Sequence, residues 1–176
     1  MYRFLFHFLA FLPCFTFACE YIFFENHQLS PSATLKTAVI EAYPIDHRLL
    51  LEPAQVTLLA SRVKKEDADV VCIQKIFERS NALELIEHLP SLYSHFYIEI
   101  GKLAISLDKR KKTLSSGLFI ASRYPLNNPS FHSLKVDQST IHFGVFEATL
   151  SIPKGTKQLY FSATQSPQTV TYSLGR

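Results

Sequence analysis

The sequence predicts a layered α/β or α+β sandwich, on three observations. A short, almost wholly apolar run, ADVVCIQKIF (Ala68–Phe77), is flanked on both sides by helical patterns. Beyond the second of these the pattern changes to short alternating strands. Apolar residues make up 47% of 176 positions, which suits one domain with a sizeable core. An α/β beginning followed by antiparallel strands suggests such a layered arrangement.

The elements follow in order. After Met1-Tyr2-Arg3, the stretch Phe4 to Ala18 is apolar, with His7 and Pro13 as interruptions. A membrane span needs about 20 residues, so this run reads better as the h-region of a secretory signal, with Thr16-Phe17-Ala18 at the cleavage edge. Residues 1–18 are expected to be a signal peptide or an N-terminal anchor, the anchor giving membrane association. Export to the periplasm, envelope or extracellular space is the expected localisation. Cys19, directly after Ala18, stands where bacterial lipoproteins carry their lipid, although Thr16 and Phe17 match the usual preceding residues poorly. Residues 19–34 are expected as a lead-in loop, aperiodic and rich in turn formers from His27 to Thr34.

Leu35 to Ala42 (LKTAVIEA) is the first strand, and Pro44 and Asp46 punctuate a turn. Glu52-Pro53 opens a helix with proline in its first turn. Val56, Leu59, Ala60 and Val63 lie at helical spacing, and Lys64-Lys65 complement the dipole at its end. Asp69 to Ile73 has the length and β-branched content of a fully buried strand. Its Cys72 reads as a small core residue, because apolar neighbours raise a thiol pKa. Ser80 is the expected N-cap of a second helix with Leu83, Ile86 and Leu89 on one face, stopped by Pro90. Tyr93 to Ile100 alternates as YSHFYIEI. Leu118–Ala121, Ser130–Val136, Thr140–Ile152 and Lys157–Thr164 are further strands, the last two joined by a hairpin over Pro153-Lys154-Gly155-Thr156.

A net charge of +3 is too small to imply nucleic acid as a partner. The one dense charge run, Asp108 to Lys112, reads as a solvated loop. His132 and His142 fall in strand patterns, and no HxH or HExxH spacing makes them a metal site. Chemistry is best sought at Gln74 and Lys75, since open α/β sheets bind ligands at the C-terminal ends of their strands.

Four blocks in order carry a family resemblance: ADVVCIQ (Ala68–Gln74), SSGLFIASRYPL (Ser115–Leu126), HFGVFEATL (His142–Leu150) and LYFSATQS (Leu159–Ser166). Together they resemble the endonuclease/exonuclease/phosphatase superfamily, most of all its sphingomyelinase-like branch. The resemblance implies a four-layer α/β sandwich, here partial, occupying residues 35–166 as an incomplete domain with 167–176 as a divergent tail. It also implies phosphodiester hydrolysis with a divalent metal, usually Mg²⁺.

At the positions that resemble the family's machinery, this chain differs. Where the family ends its first strand in Asn, this chain has Glu41. Where a metal-binding Glu follows Gln, Lys75 follows Gln74. Where a Thr-His pair acts on the phosphate, Thr164 is followed by Gln165. The family's later Asp-x-Asn and Asp-His segments have no counterpart after Ser166, so the domain is expected to be truncated with one edge and an apolar face open. No catalytic residue is therefore expected to be intact, Glu41 is the one candidate metal ligand, and no cofactor is expected unless activity persists, in which case it is Mg²⁺. Two readings are open for Glu41 and Lys75: independent substitutions that both face water, or an ion pair in the cation's place. Three readings stand side by side: a family protein without catalysis, serving at most as an envelope binding module; a hydrolase completed by a second chain; and an unrelated exported adhesin-like domain.

Overall fold

The computed structural model describes residues 4–6, 17–24, 34–42, 50–103, 115–134, 143–153 and 155–163. In chain order these form β1 (Phe4–Phe6), β2 (Phe17–Phe23), β3 (Thr37–Glu41), α1 (Pro53–Glu66), β4 (Val70–Gln74), α2 (Arg79–Glu87), β5 (His95–Leu103), β6 (Phe119–Ser122), β7 (Leu126–Ser133), β8 (Gly144–Ile152) and β9 (Gly155–Ala163). Six strands make one sheet in the order β1-β2-β5-β6-β4-β3, and β7-β8-β9 make a second. Among the described residues only β3 and β4 pair in parallel, joined through α1 as a βαβ unit.

Side-chain alternation along β4 explains how the layers stack. Val71 and Ile73 point into a core shared with Val56, Leu59, Ala60 and Val63 of α1 and Leu85 and Ile86 of α2. Val70 and Cys72 point the other way, into a core shared with Phe146, Ala148 and Leu150 of β8 and Leu159 and Phe161 of β9. A strand buried on both faces must be apolar throughout, which is what the run ADVVCI supplies. The described residues thus form three layers: helices, large sheet, small sheet. The outer face of the small sheet is polar. Thr149 Oγ1 donates to Gln158 Oε1 at 2.9 Å, and Gln158 Nε2 donates to Glu147 Oε1 at 2.8 Å.

Several expectations need correction. The stretch 19–24, expected as loop, lies largely in β2, whose Ile22 is fully buried in the helix-side core. Within the same strand Ala18 pairs with Lys102. Alternation in β5 does not run through to Ile100. Glu99 and Gly101 have φ of 52° and 73° and form an irregularity where β5 carries extra residues against β2. Ile98 therefore faces the helix-side core, whereas Ile100 faces the core between sheets. The second helix begins at Arg79 with Glu78 as N-cap, so Ser80 lies inside it. The strands β8 and β9 form the expected hairpin, with Ile152 opposite Gly155; Lys154 lies outside the described residues. The charge run 108–112, His142 and the tail 167–176 lie outside the described residues.

Candidate functional site

Parallel pairing brings the ends of β3 and β4 level. Glu41 stands opposite Gln74, and the ladder extends one step further as Ala42 N donates to Gln74 O at 3.0 Å. Lys75, the next residue, turns left-handed with φ of 69° and ends the strand. Such a conformation is uncommon for a residue with a Cβ and persists only where its surroundings hold it. Here Ile76 N donates to Gly117 O at 2.9 Å, fixing the chain on the far side of Lys75.

The SSGL turn is the fixture against which this end of β4 is set. Gly117 has φ of 75°, and a Cβ added there would come within 2.6 Å of the Phe77 ring. Only glycine meets both demands. Ser116 N donates to Ile100 O at 2.8 Å, which ties the turn to β5. The following Ser-Arg-Tyr-Pro is structural at the opposite end of β4. Arg123 pairs with Asp67 and reaches Asp69 at 3.3 Å, while Ser122 Oγ donates to Tyr124 O at 2.6 Å.

Within this frame Lys75 Nζ contacts Glu41 Oε1 as an ion pair, with side chains 25% and 21% exposed. Of the two readings left open by the sequence, the pair is the one present, half-buried rather than enclosed. Gln74 turns its amide to the other sheet, Nε2 donating to Ser162 O at 2.9 Å. Ser162 precedes Gln165 by three positions, so β9 delivers its C-terminal end beside β4; Gln165 itself lies outside the described residues. The bridging role of Gln74 escaped the sequence reading, because its partner is a backbone oxygen in a distant strand.

Other polar groupings differ in kind. Arg79 clasps Glu20 through Nη2 at 2.6 Å and Nε at 2.9 Å and approaches Glu99 at 3.8 Å, and Lys102 also pairs with Glu99. This network, also missed in the sequence, pins β2 to the start of α2. On the small sheet His132 Nε2 meets both Glu147 Oε2 and Ser130 Oγ at 3.2 Å. Both contacts fall on one ring nitrogen, whereas a Ser-His-acid relay uses the two nitrogens separately. The described residues contain no group of three or more His, Cys, Asp or Glu side chains able to hold a metal ion. Cys72 is fully buried and desolvation raises its thiol pKa, while burial pushes the Cys19 thiol up to about 12. Both are free thiols without thiolate character at neutral pH. No helix among the described residues is long and apolar enough to cross a membrane.

No family model matches the chain. It is 31% identical over 105 residues to sphingomyelin phosphodiesterase 5 of Danio rerio, an overlap covering 58% of this chain and 17% of that protein. It is 33% identical over 64 residues to sphingomyelin phosphodiesterase 3 of Rattus norvegicus, covering 36% and 10%. The chain thus spans a small part of these relatives' length. In fold it is similar to a β-hairpin deletion mutant of beta toxin from Staphylococcus aureus, with a TM-score of 0.60, 16% identity, and coverage of 78% of this chain and 53% of that one. Sphingomyelinase C from Streptomyces griseocarneus gives a TM-score of 0.55 at 15% identity, covering 78% and 51%. The buried central strand, the glycine turn set against its end, the ordered motif blocks and these likenesses agree: over the part it shares with them, the chain is similar in sequence to sphingomyelin phosphodiesterases and in fold to a bacterial sphingomyelinase.

Proposed function

We propose that this chain is a catalytically silent relative of metal-dependent phosphodiesterases, exported from the cytoplasm and acting without hydrolysis. One observation carries the reading: the ends of β3 and β4 hold a Lys75–Glu41 ion pair. Resemblance implies Mg²⁺ at this place, and the residues present do not fit it. Mg²⁺ takes oxygen ligands at about 2.0–2.1 Å. An ammonium offers none, and it occupies the carboxylate that could serve. Gln165, in place of a histidine, cannot exchange protons near neutral pH as imidazole does. A positioned acid or base contributes about 10²–10⁴-fold and metal polarisation several kcal/mol, so losing both leaves little rate above background.

The measurement is a phosphodiesterase assay on the purified chain with 10 mM Mg²⁺, using sphingomyelin and an activated bis-aryl phosphate. No turnover above the buffer control is expected. Mg²⁺-dependent turnover that disappears in Glu41→Ala would overturn the reading. Export is supported by the leader-like run Phe4–Ala18 and is checked by fractionation of expressing cells.

A second reading, a hydrolase completed by another chain, has one observation in its favour. Val39 of β3 pairs with Cys72 in register, yet it is 45% exposed where Cys72 is fully buried. The large sheet thus leaves an apolar position open at its β3 edge. Co-purification of a chain bearing Asp-x-Asn and Asp-His segments, with activity in the complex alone, would favour this alternative.

A further inference from the structure

We propose that the Lys75 ammonium is a built-in substitute for a divalent cation at the ends of β3 and β4, and that reversing this one charge reopens the position to such an ion. The inference rests on reading Glu41 and Lys75 as the superfamily's metal-facing positions. It concerns ion occupancy, not turnover.

Backbone geometry makes the case. The position of residue 75 is set on both sides by hydrogen bonds that do not involve its side chain: Gln74 O receives Ala42 N, and Ile76 N donates to Gly117 O. Its left-handed φ of 69° is therefore a property of the frame. The frame sets the Lys75 side chain against Glu41, where the two form an ion pair. A lysine in that place sets one positive charge against the carboxylate. It also repels any divalent ion that approaches Glu41, an interaction strengthened by the reduced dielectric of a half-buried site. A carboxylate in that place would instead face Glu41 with like charge. Two carboxylates brought together by the fold are a poor arrangement alone and a favourable one around a small divalent cation.

Charge reversal thus converts a cation-indifferent fold into a cation-dependent one. The test is thermal unfolding of the whole chain in EDTA and in 10 mM MgCl₂, for wild type, Lys75→Glu, and Lys75→Glu combined with Glu41→Gln. Wild type should melt within about 1 °C in the two buffers. Lys75→Glu should melt lower than wild type in EDTA and rise by about 3–6 °C in Mg²⁺, the response expected when a ligand binds only the folded state. The double variant should lose that rise, having one carboxylate again. A wild-type melting point that climbs with Mg²⁺, or a Lys75→Glu variant indifferent to it, overturns the proposal. If Lys75→Glu does not fold, Lys75→Asp, which keeps two carboxylates, carries the test by calorimetric titration with Mn²⁺. Millimolar binding absent from wild type supports the proposal, and no binding overturns it. Turnover assays on the same samples separate the two readings: activity in wild type counts against catalytic silence, whereas the melting response judges the substitution of lysine for metal.

Discussion

His95 shows how a single buried side chain can set the pH range of this fold. It lies on β5 at the seam with β2, where Tyr21 Oη meets its Nδ1 at 2.7 Å and the rings of Tyr21 and Phe23 flank it. Burial favours the neutral imidazole and lowers its pKa from 6.5 to about 4. A histidine whose folded pKa is depressed binds fewer protons folded than unfolded between those two values. Stability is therefore fully present above about pH 6.5 and declines as pH falls toward 4. The decline is about 3 kcal/mol at most, and less where solvent reaches the ring. Urea unfolding from pH 7.5 to 4.5 should show this loss, and His95→Gln should flatten that part of the profile. An unchanged slope in the variant would assign the acid sensitivity to other groups.

At the scale of elements, β2 separates what the fold requires from what the N-terminal composition suggests. Ile22 is fully buried against the helix-side core, Glu20 is clasped by Arg79, and the strand pairs with β5 along both halves of its length. Ile22→Ala should cost about 2–5 kcal/mol, the range for large-to-small changes in a packed core, read as a lowered urea midpoint. A loss under about 0.5 kcal/mol would mean that β2 contributes no core. This strand was illegible because an apolar segment after a basic start serves equally as leader or as strand. By contrast β4 was legible, since burial on both faces writes a continuous apolar run. So was α1, whose Val56, Leu59, Ala60 and Val63 repeat at helical spacing and are all buried. The candidate site was legible only in part. Glu41 and Lys75 were found through resemblance, because their meeting depends on parallel register, which no local pattern records. Gln74 was read as a strand end and acts as a tie between sheets. The reversal of facing in β5 hangs on Glu99, whose left-handed φ nothing in YSHFYIEI announces.

The whole molecule is asymmetric across its layers, and β8 lies where the difference can be measured. Its alternate residues Phe146, Ala148 and Leu150 are buried against the large sheet, while Glu147 and Thr149 lie in the polar ladder on the opposite face. A superfamily sandwich of four layers would cover that second face; the described residues place hydrogen-bonded side chains there instead. Neighbouring positions on one strand should therefore respond oppositely to the same substitution. Thr149→Lys adds a charge to a polar face and should change stability by no more than about 0.5 kcal/mol. Ala148→Lys forces an ammonium between two sheets where it finds no partner, and should abolish cooperative folding or cost at least about 3 kcal/mol. Urea denaturation of both variants decides the matter. Equal tolerance would mean that the sheets do not pack on this face of β8. A Thr149→Lys loss above about 2 kcal/mol would mean that a further layer covers the small sheet, and the open polar face would then be the seat of an interface.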